Sequence, residues 1–482
     1  MSGTVGITPP VGGLAALGTE SRVLATPWSR MVRGIGLGQH PVGHDAAAAD
    51  RIRHTFAALA GRGVEEGDPY GRFARLLVEL ALDHARDGAV EPARMSAVLA
   101  AAREHPNPYF RVMAGCVAAD AFGKLGLGGQ LARLPGADPA AELLAAVEGI
   151  EADRIRDENA GRHGHYERLS ASSAVLLALG QLGATVEPGR LLGALDLLDG
   201  VPSPFFRGRG GSVLLAAAML LGREDLLTEG GRDRIAETLR YLGHTGPGVT
   251  APVFPQPMSP AFVEVYPLLT MLNAVSMSRR SGDYLRLGED RLAQARALMG
   301  ALRPVERTHM GLYYVVALHN LGVLDEQVPD LDRFAEDLVG QWRTTPPGEN
   351  YFLNGISYAY LIQTAVFTGR PDLVTEEFLD RYVDSFPDLD RTDDDRVNRP
   401  YPFAYAFNAL AEIGCDDLLF QPRRAYGGAA PVDWVVSRLS PGARAEPRLY
   451  MLHHALISYA LRMREPAPEA PVFRDFVFPA SH

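Results

Sequence analysis

The feature that most constrains this chain is a kind of helix that keeps returning. It opens on a turn rich in Gly, Pro, Ser or Asn and then runs almost wholly through small and apolar residues. SASSAVLLALGQLG from 170, GSVLLAAAMLLG from 211 and SPAFVEVYPLLTMLNAVS from 259 are of this kind. HMGLYYVVALHNLG from 309, YFLNGISYAYLIQTAVFTG from 351, YPFAYAFNALAEIG from 401 and RLYMLHHALISYALRM from 448 continue the series. Their starts lie roughly 40–50 residues apart, the spacing of helical-hairpin repeats. Several close on a glycine where a helix C-terminus favours one: Gly183, Gly222, Gly322, Gly369 and Gly414.

Between them lie helices of a second kind, charged and amphipathic, such as GRDRIAETLRYLG, DYLRLGEDRLAQARALMGALR, DRFAEDLVGQW and TEEFLDRYVDSF. Their apolar residues recur at i, i+3, i+4 and i+7, which marks a single buried face. The near-uniform helices should then be buried on most sides, with the amphipathic ones outside them. Period-2 alternation is rare, so strands are not expected. The predicted fold class is all-α: an α/α toroid of about six to seven helical hairpins with an N-terminal helical extension. The expected division is an N-terminal arm over 1–48, N-terminal helices over 49–160, the toroid over 161–465 and a tail over 466–482.

Composition narrows the function classes. Net charge is −11 and no Lys/Arg run appears, which argues against a nucleic-acid reader. Lys124 is the only lysine; with so many Ala, Gly and Asp this reads as coding bias. Cys116 and Cys415 stand far apart and form no disulfide framework or CxxC site. No secretory signal and no apolar stretch long enough to span a membrane is visible, so a cytoplasmic location is expected.

Polar groups on the apolar helices carry the chemical information, because a buried polar group costs free energy unless hydrogen-bonded. They are His163, His165, Tyr166, Glu264, Tyr266, His309, Tyr313, Asn354, Tyr358, Tyr401, Tyr405, Asn408 and His453. Either they line a pocket or they hydrogen-bond one another and hold the core.

The densest signal is Phe386-Pro387-Asp388-Leu389-Asp390-Arg391-Thr392-Asp393-Asp394-Asp395, just before the helix that begins near Tyr401. Crowded carboxylates repel, and one kept neutral can serve as a Brønsted acid. Pro-Asp-Leu-Asp-Arg-Thr resembles the acidic motif of the class II terpene cyclases, Asp-x-Asp-Asp followed by Thr. The resemblance implies an α/α toroid in which Asp390 is the general acid and Asp388 the partner that sets its proton affinity. Arg391 stands where that family carries Asp. The segment also reads as a capped surface loop. A third reading is a divalent-cation site, with Asp394 and Asp395 as ligands and Mg²⁺ as the metal.

Two further constellations complete the set. Phe205-Phe206-Arg207-Gly208-Arg209-Gly210-Gly211-Ser212 reads as a Gly-rich turn before a helix. There Arg207 and Arg209 could hold a phosphate or diphosphate, or the turn is simply solvated. His163-Gly164-His165-Tyr166-Glu167 offers zinc ligands, acid/base groups or a helix cap. The expected function is an isoprenoid cyclase-like enzyme of bacterial specialised metabolism, a lyase or isomerase working through carbocations on a small hydrophobic substrate such as an isoprenyl diphosphate. The alternatives are a carbohydrate-active toroid enzyme using Glu264, His309, Tyr313 and Tyr358, and a non-catalytic helical-repeat scaffold.

Overall fold

The computed structural model describes residues 43–63, 68–134, 138–150, 166–181, 186–242, 258–345, 351–390, 400–439 and 447–464. Among these the regular structure is helical, with no strand. We number the α-helices of seven residues or more in chain order: α1 Ala46–Gly61, α2 Pro69–Asp87, α3 Pro92–Arg103, α4 Pro108–Lys124, α5 Pro139–Glu148 and α6 Tyr166–Gln181. There follow α7 Pro188–Asp196, α8 Pro204–Leu220, α9 Arg234–Leu242, α10 Pro260–Val275, α11 Arg291–Ala301 and α12 Pro304–Asn320. The last six are α13 Leu331–Gly340, α14 Tyr351–Phe367, α15 Glu376–Val383, α16 Pro400–Glu412, α17 Pro431–Ser437 and α18 Pro447–Arg462.

Local chemistry sets the starts of these helices. Proline fixes φ and has no N–H to leave unsatisfied, so it suits the first helical turn. It opens α2, α4, α8 and α10, and in each the preceding residue caps the helix through its side chain: Asp68, Asn107, Ser203 and Ser259. The ends are equally regular. After α8, Gly222 takes φ +72° and Arg223 N donates back to the Ala218 carbonyl at 2.9 Å. After α16, Gly414 takes φ +71° and Cys415 N donates to Leu410 O at 2.8 Å. Each is a left-handed C-terminal cap, a conformation that costs other residues more than glycine. Gly322 and Gly369 repeat it, while Gly183 lies outside the described residues.

Two kinds of helix separate as their sequences imply. Along α10, every residue from Val265 to Val275 is buried, and α12 is buried from Thr308 to Leu318. By contrast α13 buries only Ala335, Leu338 and Val339, one face of the helix. The even-numbered helices are neighbours in series: α4 packs on α6, α6 on α8, and so on through α16 on α18. Then α18 packs on α2, which also touches α4. Helices α3, α5, α7, α9, α11 and α13 each bridge the two even-numbered helices that flank them in sequence. Within the residues 49–160 expected as N-terminal helices, α2 packs on α18 and α4 on α6.

Buried charge is paired where it holds this series together. Glu306 at the start of α12 accepts from Ser259 N (2.8 Å), Ser259 Oγ (2.7 Å) and the Arg303 guanidinium (2.6 Å), tying α10 to α12. Burial alone would raise its pKa, but hydrogen bonds from Arg303 and Ser259 outweigh burial and leave it lowered. The lone lysine, Lys124, pairs with Asp120 at 2.9 Å inside α4, with both side chains almost wholly shielded from solvent. No described helix is long and apolar enough to cross a membrane.

Candidate functional site

Four successive even-numbered helices each contribute a tyrosine to one row. They are Tyr266 on α10, Tyr313 on α12, Tyr360 on α14 and Tyr405 on α16, all buried. The Tyr266 and Tyr313 hydroxyls lie 3.2 Å apart, and those of Tyr313 and Tyr360 3.3 Å apart. Tyr405 continues the chain through a hydrogen bond with Tyr360, their rings edge-on at 5.8 Å. Burial raises Tyr313, Tyr360 and Tyr405 well above the ordinary phenol range, so all three stay protonated.

His309 sits in the middle of this row, one turn before Tyr313 on α12. Its ring stacks on Tyr313 (6.1 Å between centroids, 19° between planes) and meets Tyr360 edge-on at 4.8 Å. Phe262 and Tyr266 close the other sides. Its Nδ1 is buried without a hydrogen-bond partner among the described residues. Burial first, and the charge of Arg209 second, lower its pKa to about 3, so the imidazole is neutral at physiological pH. Arg209 on α8, 2 % exposed, holds its guanidinium carbon 5.3 Å from the Tyr266 ring. The arrangement combines a neutral imidazole able to accept a proton, a chain of phenol hydroxyls, and aromatic faces that attract a cation.

A second buried group joins α2 to α18. Tyr70 Oη is hydrogen-bonded to His454 Nε2, and Asp68 Oδ2 lies 3.7 Å from His453 Nδ1. Phe56 stacks on His453, and a Cβ at Gly71 would stand 2.9 Å from the imidazole Cε1, so the ring takes up the space that glycine leaves open. Burial drives both members of the Asp68–His453 pair towards neutrality. The carboxyl rises to about 6 despite backbone hydrogen bonds that oppose the shift, and the imidazole falls to about 3.

The other sequence-derived candidates scatter. Residues 205–212 are not a turn: they lie inside α8, behind the Ser203 cap. Their glycines serve close packing instead. A Cβ on Gly208 would meet Leu242 Cδ2 at 2.5 Å and Pro267 Cβ at 2.7 Å, and one on Gly211 would meet Leu198 Cδ2 at 2.7 Å. Arg207 is engaged by Asp199 at 3.0 Å and lies over the Tyr241 ring at 4.3 Å, so it presents no anion cradle. Tyr358 faces the outer layer, stacked on Tyr382 at 5.0 Å and beside Phe378 of α15. Glu264 is half-buried two positions before Tyr266, about 200° round the helix from it. Glu264, His309, Tyr313 and Tyr358 therefore do not converge on one site. Asn408 turns its amide back to the Ala404 carbonyl at 3.4 Å, a local helix contact.

Asp388 is half-buried in a single turn of 3₁₀ helix, Phe386–Asp390, which packs against α14. His165, Asp394 and Asp395 lie outside the described residues, as do the side chains of Tyr166, Asn354, Asp390 and Tyr401. Among the described residues no group of three His, Cys, Asp or Glu could hold a metal ion, so the Mg²⁺ reading rests on Asp394 and Asp395 alone. Tyr360, Asp68, Tyr70 and His454 were not singled out from sequence. Spacing was the available signal for Tyr360: Tyr266, Tyr313 and Tyr360 stand 47 residues apart in turn. No protein-family model, curated protein or solved structure matches the chain.

Proposed function

We propose that the even-numbered helices close into an α/α toroid and that the chain is an isoprenoid cyclase-like enzyme. In this reading it protonates a hydrophobic substrate and shelters the carbocation that results. The series of helix neighbours that runs from α2 to α18 and back to α2 supports closure. One observation carries the functional reading. The turn that opens the acidic segment, Phe386–Asp390, packs on α14, and the helix after the segment is α16. These two helices bear Tyr360 and Tyr405, so the acidic segment leads from one helix of the tyrosine row to the next, with the Phe386 ring 5.9 Å from that of Tyr382 and 6.0 Å from that of Phe403.

The chemistry then divides along the row. Asp390, with Asp388 beside it, is the proton donor. Its proton adds to an alkene carbon, the π pair forms the new C–H bond, and a tertiary cation remains. A second alkene closes on that cation while the faces of Tyr360, Tyr313 and Phe262 stabilise the charge. Neutral His309 takes the final proton as the adjacent C–H pair becomes an alkene. A base with a pKa of about 3 suffices, because a carbocation is a far stronger acid. Arg209, beside Tyr266 at the far end of the row, faces the anionic head group of an isoprenyl diphosphate. The head group is thus kept away from the end where the cation forms.

Incubation with farnesyl and geranylgeranyl diphosphates, followed by mass spectrometry before and after phosphatase treatment, tests this. A cyclised product still carrying its diphosphate is expected from the wild type and none from Asp390→Asn, with the helical content of both unchanged. Full activity in Asp390→Asn would sink the assignment of the acid, and absence of turnover would sink the isoprenoid reading.

A further inference from the structure

A concave site lies in the groove between α5 and α7 with α6 as its floor, on helices other than those that carry the tyrosine row. Its volume is about 280 Å³, near the lower end of ~300–1,000 Å³ for small-molecule pockets. The floor is Ser172, Val175 and Leu176, all buried, and Leu144 and Leu197 form the walls. The charged lining residues are Glu148, Arg168 and Arg190. Glu148 and Arg190 neutralise each other at 3.1 Å. Arg168 also lines the pocket, and its Nε is buried without a hydrogen-bond partner among the described residues. Among the described lining residues, Arg168 is thus the charged group without an ion-pair partner.

An apolar floor under a single unmatched guanidinium is complementary to a chain with a monoanionic head. We propose that this pocket binds a medium-chain carboxylate, with the alkyl chain on Val175 and Leu176 and the carboxylate at Arg168. A neutral alcohol gains the floor but not the charge. A cationic amphiphile meets like charge at Arg168. The width of the groove depends on Gly193, which faces it from α7 with nothing within 4 Å of a Cβ built on it. A larger side chain there fills the pocket without disturbing the fold.

Calorimetric titration of the full chain with hexanoate, octanoate, octan-1-ol and octyltrimethylammonium is the test. Octanoate should bind one to one, with affinity rising about fourfold per methylene from hexanoate. Arg168→Gln and Gly193→Leu should each weaken it at least tenfold while leaving the circular dichroism unchanged and the Tm no lower. The proposal is overturned if the alcohol or the ammonium binds as tightly, if neither substitution has an effect, or if no saturable binding occurs. It is also overturned if the protein is a dimer that Gly193→Leu dissociates, since a second copy then covers the groove. No turnover enters this experiment, so it stands or falls apart from the isoprenoid reading.

Discussion

Replacing Asp68 by asparagine should stabilise the protein at neutral and alkaline pH, against the usual expectation for a helix cap. Asp68 Oδ1 accepts from Tyr70 N at 3.0 Å, and an asparagine carbonyl can accept the same bond. What changes is the charge. The carboxyl is 2 % exposed, and burial raises its pKa from 3.8 to about 6. A rise of that size corresponds to about 3 kcal/mol against the ionised form. Because the folded value lies above the unfolded one, the favourable contribution is fully present below pH 3.8. It is lost as pH rises through about 6. At pH 8 the wild type bears the whole penalty and the variant none of it. Urea unfolding from pH 4 to pH 8 should show Asp68→Asn more stable by up to about 3 kcal/mol at the alkaline end. The gap should close towards pH 4. A variant less stable than wild type at pH 8 would show that the carboxylate is instead paired with a protonated His453, and the account of this cluster would be wrong.

Further expectations follow from the same geometry. His309 and His453 are held at about 3 by burial, well below the ordinary 6.5. Their contribution is present above pH 6.5 and lost as pH falls towards 3, at up to about 1.4 kcal/mol per pH unit for each group. Asp68 works in the opposite sense between 3.8 and about 6. Urea midpoints should therefore fall on acidification, and more steeply in Asp68→Asn than in the wild type; a flat profile in both would refute buried neutral imidazoles. Gly208→Ala should destabilise by up to about 2 kcal/mol, since overpacking costs about 1–3 kcal/mol against a helix-propensity gain of about 1. A stabilised variant would mean that Gly208 is not pressed between Leu242 and Pro267. An amine-reactive reagent should modify Lys124 only after unfolding, because its side chain is 1 % exposed; rapid labelling of the native protein, read by mass spectrometry, would contradict that burial.

The features legible in the sequence are those whose cause is local. The helices, their two kinds and the closing glycines at 222, 322, 369 and 414 follow from periodicity and from the backbone freedom of glycine. The Arg-Gly stretch misleads for an equally local reason. Its composition is that of a turn, yet Ser203-Pro204 just ahead of it is a helix start. Only the approach of Leu242 and Pro267, distant in sequence, shows why glycines occupy that helix. Tyr266, His309, Tyr313 and Tyr405 stood out as polar residues on apolar helices. The row they form with Tyr360 depends on how neighbouring helices register, which one helix read alone does not reveal. The Asp68–His453 and Tyr70–His454 pairs were beyond reach, because they join α2 to α18; Tyr70 and His454 are 384 positions apart.

Acid-initiated cyclisation is the central claim, and solvent labelling tests it most directly. The reaction is run in deuterium oxide with geranylgeranyl diphosphate, and the cyclised product is analysed by mass spectrometry. Protonation by an exchangeable carboxylic acid such as Asp390 places one solvent deuteron on carbon in the product, and the diphosphate stays attached. A cyclised product without carbon-bound deuterium and without its diphosphate would contradict the account, since the cation would then arise by ionisation of the substrate and not by protonation.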